Sequence, residues 1–146
     1  MDELRFRRVH VAGAGTLLGA AVVGELEAAG HELLHATAPV DAIVHCPAPQ
    51  PPGRLTHRRL GAHRRAEEAR ASALARDALV CGARLVHVGT AFAWGDHGSS
   101  WIDEATPQRP APLGAGDLDV SRSLMALRRD SGLDVVFVAL GLVYGP

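Results

Sequence analysis

A glycine-rich stretch near the start of the chain has the residue types and spacing of a phosphate-binding loop. The apolar run Val9–Ala12 leads directly into Gly13, Gly15 and Gly19. In such loops one glycine permits a tight turn, one lets the backbone approach a pyrophosphate, and one lets the helix pack on the strand. The helix start offers free N–H groups to the phosphates. The spacing G-x-G-x-x-x-G is one residue off the usual fingerprint, in which Leu18 would be glycine or alanine. The same glycines would also suit a turn kept for packing alone.

Two further side chains are candidates for ligand contact or proton transfer. Thr90 ends an apolar run, where its hydroxyl could donate a hydrogen bond to a ligand or be only a strand-end hydroxyl. His97 lies in the polar segment that follows, and it could act as an acid or base near neutral pH or be an ordinary surface histidine. The two cysteines, Cys46 and Cys81, lack metal-ligand spacing. We therefore predict no metal site and a reduced, cytoplasmic setting.

The composition excludes several kinds of chemistry. All 15 basic residues are arginine, so no lysine base or Schiff-base lysine is present, and the one tyrosine is Tyr144, near the end of the chain. The formal net charge of −1 creates no field that would attract nucleic acid or an acidic membrane. The longest uncharged run, Val9–Gly24, has 16 residues, fewer than the roughly 20 apolar residues that a membrane span needs. We therefore expect neither a nucleic-acid partner nor a membrane partner.

The elements that must position these residues follow a repeated pattern, in which a helical stretch ends at a glycine and a β-rich run follows. The predicted helices are Ala20–Ala29, Ala66–Cys81 and Leu118–Ser131. The predicted strands are Val9–Ala12, Glu32–Ala36, Ala42–Cys46, Leu85–Val88 and Val135–Leu140. This alternation predicts a parallel sheet with right-handed crossovers. Only Thr37–Asp41 separates the second strand from the third, too few residues for a parallel crossover. Either these two strands are not sheet neighbours, or part of the fold is missing here.

Five segments follow one another in the order and spacing of a known family. They are Gly13–Gly19, DAIVHCPA at 41–48, RLVHVGTAFAWG at 84–95, DEATP at 103–107 and GLVYGP at 141–146. On these motifs almost the whole chain resembles the extended short-chain dehydrogenase/reductases, the NAD-dependent epimerase/dehydratase group. The resemblance implies NAD or NADP as the cofactor. The cofactor-binding residues that it implies are Gly13, Gly15, Thr16, Leu17, Leu18, Gly19, Cys46, Pro47 and Ala48.

The resemblance also locates the family's catalytic positions. Thr90 matches the Ser or Thr that hydrogen-bonds the reacting hydroxyl or carbonyl group. The family's acid/base tyrosine and its neighbouring lysine fall on Leu113 and Asp117. A leucine cannot transfer a proton, and an aspartate would raise the pKa of a neighbouring phenol rather than lower it. The resemblance therefore implies that the family's Tyr–Lys dyad is absent.

Two departures from the family concern whole segments. The helix and third strand that normally precede the DAIVH-like strand are missing, and the acidic ribose-binding position is missing with them. The family's smaller substrate domain would follow Pro146, where this chain stops. We therefore predict one Rossmann-like domain over residues 1–146. Its fold class is α/β, a reduced, doubly wound parallel sheet of about five strands that lacks the third-strand region and the C-terminal substrate domain.

Three functions remain open at this point. The first is a pseudoenzyme that binds a dinucleotide, a nucleotide sugar or a protein partner. The second is a truncated remnant of a nucleotide-sugar epimerase or reductase without activity of its own. The third is an enzyme of cofactor-independent chemistry, such as a cyclase, lyase or isomerase, that uses Thr90 or His97 in the same cleft. Apolar stripes that the missing segments would have covered also favour a homo-oligomer.

Overall fold

A computed structural model describes residues 8–35, 38–50, 52–54, 56–141 and 143. The strands are β1 (Arg8–Ala12), β2 (Glu32–Leu33), β3 (Ala42–His45), β4 (Arg84–Thr90) and β5 (Val135–Leu140). The helices are α1 (Leu17–Ala28), α2 (His57–Cys81) and α3 (Ala115–Ser131), and a short 3₁₀ turn spans Ala91–Ala93. The predicted alternation of strands and helices is confirmed. Within these residues no helix combines the length and the apolar character needed to cross a membrane.

The five strands form one parallel sheet in the order β2-β1-β3-β4-β5. Because β1 lies between β2 and β3, the second and third strands in the sequence are not neighbours, which resolves the problem of their short connection. The register places His45 opposite His87 and His87 opposite Phe137. These three residues therefore form a row across the sheet near the carboxyl ends of the strands.

Helices cover both faces of the sheet, as the doubly wound prediction requires. On one face, α1 packs against Val9, Val11, Ala42 and Cys46 through partly buried residues such as Val22. On the other face, α2 and α3 enclose a larger core of Ile43, Leu85, Leu133 and their neighbours. The buried residues of α2 include Ala71, Leu74, Ala75 and Ala78, a spacing that places them on one helical stripe. Val40, in the connection between β2 and β3, is buried in the same core.

The element boundaries differ from the predictions at several ends. Helix α2 begins at His57 rather than Ala66, because the Thr56 side chain accepts a hydrogen bond from the Arg59 N–H and caps a longer helix. It ends at Gly82, whose φ of 64° is the predicted left-handed cap. Strand β2 contains only Glu32–Leu33, and the last residue of the predicted strand, Ala36, lies outside the described residues.

The strand order reverses between β1 and β3, so the carboxyl ends of these two strands form the topological switch point of the sheet. From β1 the chain winds through α1 to β2, whereas from β3 it winds the other way through α2 and α3. In open parallel sheets, ligands bind outside the carboxyl ends of the strands at such a point. The glycine loop, defined as Gly13–Gly19, follows β1 directly at this edge.

Candidate functional site

The glycine loop is held by close backbone contacts at its two ends. Gly13 has a φ of 92°, and a Cβ there would lie 2.1 Å from the carbonyl oxygen of Cys46. A Cβ on Gly19 would lie 1.9 Å from the carbonyl oxygen of Gly13. These distances leave no room for a side chain at either position. Both glycines are therefore required by the strand–turn–helix geometry itself.

The middle of the loop is open by contrast. A Cβ on Gly15 would meet no atom within 4 Å, so the backbone of Gly15 faces solvent. Thr16 caps α1, since its hydroxyl accepts from the Gly19 N–H at 3.0 Å and donates to the Gly13 carbonyl at 2.8 Å. Leu17 and Leu18 are the first residues of α1, whose backbone N–H groups have no partner within the helix. This arrangement can receive a phosphate group.

The segment after β3 lies against this loop. Cys46 is fully buried, its N–H donates to the Ala12 carbonyl at 2.9 Å, and burial raises the pKa of its thiol. Pro47 and Ala48 then reach a cavity at the carboxyl edge of the sheet. The Ala48 N–H donates to Glu67 of α2 at 3.3 Å. The structure thus brings the two groups of predicted cofactor-binding residues together around one edge.

The cavity has a volume of about 210 Å³ and lies between the segment after β3, the first half of α2, the carboxyl end of β4 and the start of α3. Its wall includes Leu18, Ala48, Thr90, Leu113 and Asp117. It is smaller than typical ligand pockets of about 300–1,000 Å³. A ring-sized group therefore fits this space better than a whole dinucleotide does.

Thr90 and Asp117 are linked inside this cavity. The Thr90 N–H donates to the Asp117 carboxylate at 3.0 Å, and the Thr90 hydroxyl accepts from the Phe92 N–H at 2.9 Å. The hydroxyl proton of Thr90 can still be donated to a ligand. Burial raises the pKa of Asp117 above its usual range, although the Thr90 N–H opposes this shift. Asp117 is also an acidic residue in the first turn of α3, where the helix dipole favours a carboxylate, so it combines a structural position with a place in the cavity wall.

His97 lies outside the residues that line this cavity. One of its ring nitrogens, Nε2, is 3.0 Å from the carbonyl oxygen of Trp94. The same carbonyl accepts from the Arg109 N–H at 3.1 Å, so His97 belongs to the contacts that hold the loop between the 3₁₀ turn and α3. A role for His97 in proton transfer stays a prediction.

A second group of polar side chains is buried beneath the cavity. We call His45, Glu67 and His87 the histidine cluster. His45 is fully buried, and His87 and Glu67 are 2% and 9% exposed. The Nδ1 atoms of the two histidines are 3.0 Å apart, and His45 Nε2 is 3.6 Å from a Glu67 carboxylate oxygen. Arg70 pairs with the other Glu67 oxygen at 3.0 Å.

The charge states within the histidine cluster follow from its burial. Burial lowers the pKa of His87 to about 4, and the nearby His45 acts in the same direction. Burial alone would raise the pKa of Glu67, but His45, Arg70 and the Ala48 N–H together place that pKa below its usual range. At neutral pH the cluster therefore contains an uncharged His87 and an ionised Glu67.

Comparisons with known proteins find similarity in structure only. No family model matches the chain, and no curated protein matches it. Among solved structures, MoeE5 in complex with UDP-glucose and NAD has a TM-score of 0.78 at 20% identity, covering 95% of this chain and 56% of that one. The UDP-N-acetylglucosamine 4-epimerase from Bacillus cereus has a TM-score of 0.76 at 18% identity, with coverages of 94% and 61%. RMD from Pseudomonas aeruginosa, complexed with NADPH, has a TM-score of 0.72 at 14% identity, with coverages of 92% and 54%.

The chain has the Rossmann fold of the NAD-dependent epimerases and dehydratases. It spans little more than half the length of these solved chains. The resemblance to extended short-chain dehydrogenase/reductases is thus confirmed in the fold, as is the reduced five-stranded sheet.

The Rossmann fold normally places an acidic ribose ligand at the end of its second strand. Here the described residues between β2 and β3 are Leu34, His35 and those from Ala38 to Asp41. The one carboxylate among them, Asp41, lies at the opposite end of β1, where it pairs with Arg8 at 2.8 Å. Within this described part, no carboxylate takes the ribose position.

Nothing in the sequence pattern singles out Glu67 or His87, and His45 stands in an apolar run where a buried histidine with its hydrogen bonds satisfied is the ordinary case. The structure leaves His45 Nε2 and His87 Nε2 without a hydrogen-bond partner among the described residues. Once α2 is placed, one signal becomes visible, since Glu67 precedes the buried Ala71, Leu74 and Ala78 at helical spacing. A carboxylate on an otherwise apolar stripe indicates a buried polar partner.

Proposed function

We propose that this chain binds a dinucleotide or a nucleotide sugar at the switch point and does not carry out hydride transfer through a Tyr–Lys dyad. The observation that carries the proposal is the cavity wall, where Leu113 and Asp117 stand together beside Thr90. A leucine cannot transfer a proton, and a leucine with an aspartate does not form the Tyr–Lys pair that such chemistry needs. In this proposal the chain is a pseudoenzyme.

The fit of NAD or NADP is supported by the glycine loop. The open space at Gly15 and the N–H groups of Leu17 and Leu18 suit a pyrophosphate, with Gly13, Thr16 and Gly19 shaping the loop. The part of the ligand beyond the pyrophosphate would lie against Cys46, Pro47 and Ala48. A bound nicotinamide would supply a hydride acceptor or donor. Thr90 would then orient a hydroxyl or carbonyl group without a tyrosine at the position of Leu113 to complete proton transfer.

A thermal-shift titration with NAD, NADP and UDP-glucose tests this proposal. A ligand at about 100 times its dissociation constant should stabilise the fold by roughly 2.7 kcal/mol. The matched variant is Gly15→Val, whose side chain enters open space, so we expect an unchanged melting temperature but a lost shift with NAD or NADP. Absence of a shift with all three compounds would refute ligand binding. Reduction of NAD or NADP at ordinary enzymatic rates with UDP-glucose would refute the pseudoenzyme.

Self-association and a cytoplasmic location also remain predictions. Val136 and Val138 of β5 are 40% and 38% exposed. Because Val135 faces the core beneath α2 and α3, these two alternate residues face the other side of the sheet. This exposed apolar strip supports a homo-oligomer, which light scattering of the purified protein would reveal.

A further inference from the structure

Basic and acidic residues are separated along the chain into a basic helix start and an acidic loop. Residues 42–66 contain five arginines and no acidic residue, whereas residues 85–108 contain three carboxylates and no arginine. The arginines are Arg54, Arg58, Arg59, Arg64 and Arg65, and the carboxylates are Asp96, Asp103 and Glu104. Of these eight side chains, only that of Arg64 has an ion pair among the described residues, with Asp119. We call the other four arginines the arginine face and residues 96–104 the acidic loop.

The arginine face lies at the start of α2. Arg58, Gly61, Ala62 and Arg65 are at helical spacing on one side of this helix, and both arginines are exposed. A Cβ on Gly61 would lie 3.5 Å from a guanidinium nitrogen of Arg65, so that guanidinium lies beside Gly61. The first turn of α2 contains no acidic residue, so the arginines add to the positive end of the helix. The start of α2 is therefore a strongly positive surface.

A groove lies beside the arginine face, between α2 and α3. Its volume is about 220 Å³, and the residues that border it are Gly61, Arg64, Arg65, Glu68, Gly116 and Asp119. Asp119 is paired with Arg64, so Glu68 is the one carboxylate at the groove that has no ion pair among the described residues. Guanidinium groups stack on aromatic rings and pair with carboxylates. The groove and the arginine face together therefore suit an aromatic side chain that is flanked by acidic ones.

The acidic loop presents such a side chain. Trp101 is 96% exposed, and its neighbour Ile102 is 45% exposed. Hydrogen bonds hold the loop in shape, since the indole N–H of Trp94 donates to the Asp103 carbonyl at 3.1 Å and the Asp103 N–H donates to the Thr106 hydroxyl at 3.0 Å. The same hydroxyl donates to the Asp103 carboxylate at 2.8 Å and holds the pKa of that carboxyl below its usual range. Docking of Trp101 would therefore require little further ordering of the loop.

The complementary surfaces belong to one chain but do not meet within it, because Trp101 is almost fully exposed. A second copy supplies to each surface the partner that its own chain does not. Two copies related by a twofold axis would form this contact twice, once in each direction.

We propose that Trp101 of one copy docks in the groove between α2 and α3 of a second copy, where Asp103 and Glu104 pair with the arginine face. This inference goes beyond the proposed function and requires no ligand. It also uses a different surface from the apolar strip of β5, and the two forms of association respond differently to salt.

Sedimentation of the purified protein without ligand tests the contact first. We expect a dimer at about 0.1 mM protein and about 0.05 M NaCl, with its dissociation constant raised about tenfold or more at about 0.5 M NaCl, because salt screens exposed charges. A monomer at low salt would overturn the proposal. So would a dimer that salt does not weaken, which is the behaviour of an apolar contact through β5.

Three single variants locate the contact. Trp101→Ala removes the central aromatic side chain, and Arg65→Glu reverses one charge of the arginine face; we expect each to weaken dimerisation about tenfold or more. Arg76→Glu is the matched control, since Arg76 is exposed on the same helix about three turns further on and the change in net charge is the same. It should dimerise as the unmodified chain does. Equal dimerisation of Arg65→Glu and Arg76→Glu would overturn the proposal.

A mixing experiment separates a contact between the two surfaces from a general effect of charge. Glu104→Arg and Arg65→Glu should each dimerise weakly when alone, because like charges then meet in both contacts. In a mixed pair one contact has both original charges and the other has both charges reversed, so opposite charges meet in each. We therefore expect the equimolar mixture to associate about tenfold more tightly than either variant alone. A mixture that associates no more tightly would overturn the proposal, whether or not NAD, NADP or UDP-glucose binds to the chain.

Discussion

The glycine loop and the histidine cluster lie on opposite sides of the same sheet edge, but different forces hold them. In the glycine loop the constraints are backbone contacts, such as the carbonyl of Cys46 at 2.1 Å from the place where a Gly13 Cβ would be. In the histidine cluster the constraints are titratable side chains buried to 9% exposure or less. The stability of the glycine loop should therefore not depend on pH, and added side-chain atoms should destabilise it. The stability contributed by the histidine cluster should depend on pH.

This difference shows which parts of a binding site can change without loss of the fold. The glycine loop keeps its shape because the turn and the packing of α1 need it, whatever ligand is bound. Side chains such as Leu113, by contrast, are 40% exposed and carry little of the core. Side chains in the wall of the cavity can therefore change while the strand–turn–helix geometry of the glycine loop persists.

The largest effect is expected from Gly13→Ala. The added Cβ requires a strained backbone at φ 92° and overlaps the Cys46 carbonyl. The two costs together should destabilise the fold by about 4 kcal/mol. Urea denaturation at several pH values measures the loss, which should be the same at each of them.

Gly15→Ala is the matched control for this experiment. Its Cβ meets nothing within 4 Å, so its stability should lie within about 0.5 kcal/mol of the unmodified chain. Equal losses in the two variants would mean that the glycine loop is not held by the contacts described.

The next largest effect is a loss of folding stability in acid, caused by the histidine cluster. The folded pKa of His87, about 4, lies below the value of about 6.5 for an unfolded histidine. The unfolded chain therefore takes up the proton first, and the stability present above pH 6.5 is lost as the pH falls towards 4. The loss from this one side chain is about 3 kcal/mol. Glu67, with its lowered pKa, adds a further loss only below its unfolded value of about 4.5.

Subtraction isolates the contribution of His87 from those of the other titrating groups. Stability is measured from pH 7 to pH 4 for the unmodified chain and for His87→Phe. The unmodified chain should lose about 3 kcal/mol more than the variant across this range. Parallel curves would show that His87 is not buried uncharged.

The sequence predicted the fold well because the signals for it are local. Glycines after α2 and α3 and continuous apolar runs in β3, β4 and β5 each determine one element, and the family motifs gave their order. The short β2 was harder, since its pairing with β1 involves only Arg8 and Val9 opposite Glu32 and Leu33. The predicted helix starts at Ala66, where the apolar period begins, but the arginines and histidines before it are typical of a solvated helical face, and from His57 onward they belong to α2.

The site was predictable where it consists of backbone and not where it consists of paired side chains. Gly13 and Gly19 could be placed from their spacing, and the family resemblance added Thr16. The partnership of His45 with His87 depends on strand register, which aligns residues 42 positions apart in the chain. No local pattern encodes that register, so the histidine cluster became visible only when β3 and β4 were paired.

The smallest effect extends the comparison to the α3 side of the cavity, where Asp117→Asn should stabilise the fold. Burial raises the pKa of Asp117, so the folded state favours the protonated carboxyl, and this preference costs stability as the pH rises through the folded pKa. Asparagine keeps an oxygen for the Thr90 N–H and has no charge to bury. Loss of the attraction between the carboxylate and the start of α3 offsets part of the gain, so the net stabilisation at pH 7 is smaller than the effects described above. Denaturation at pH 7 and pH 3 measures it: the advantage should disappear at pH 3, and a variant less stable at pH 7 would show that Asp117 acts mainly through the helix start.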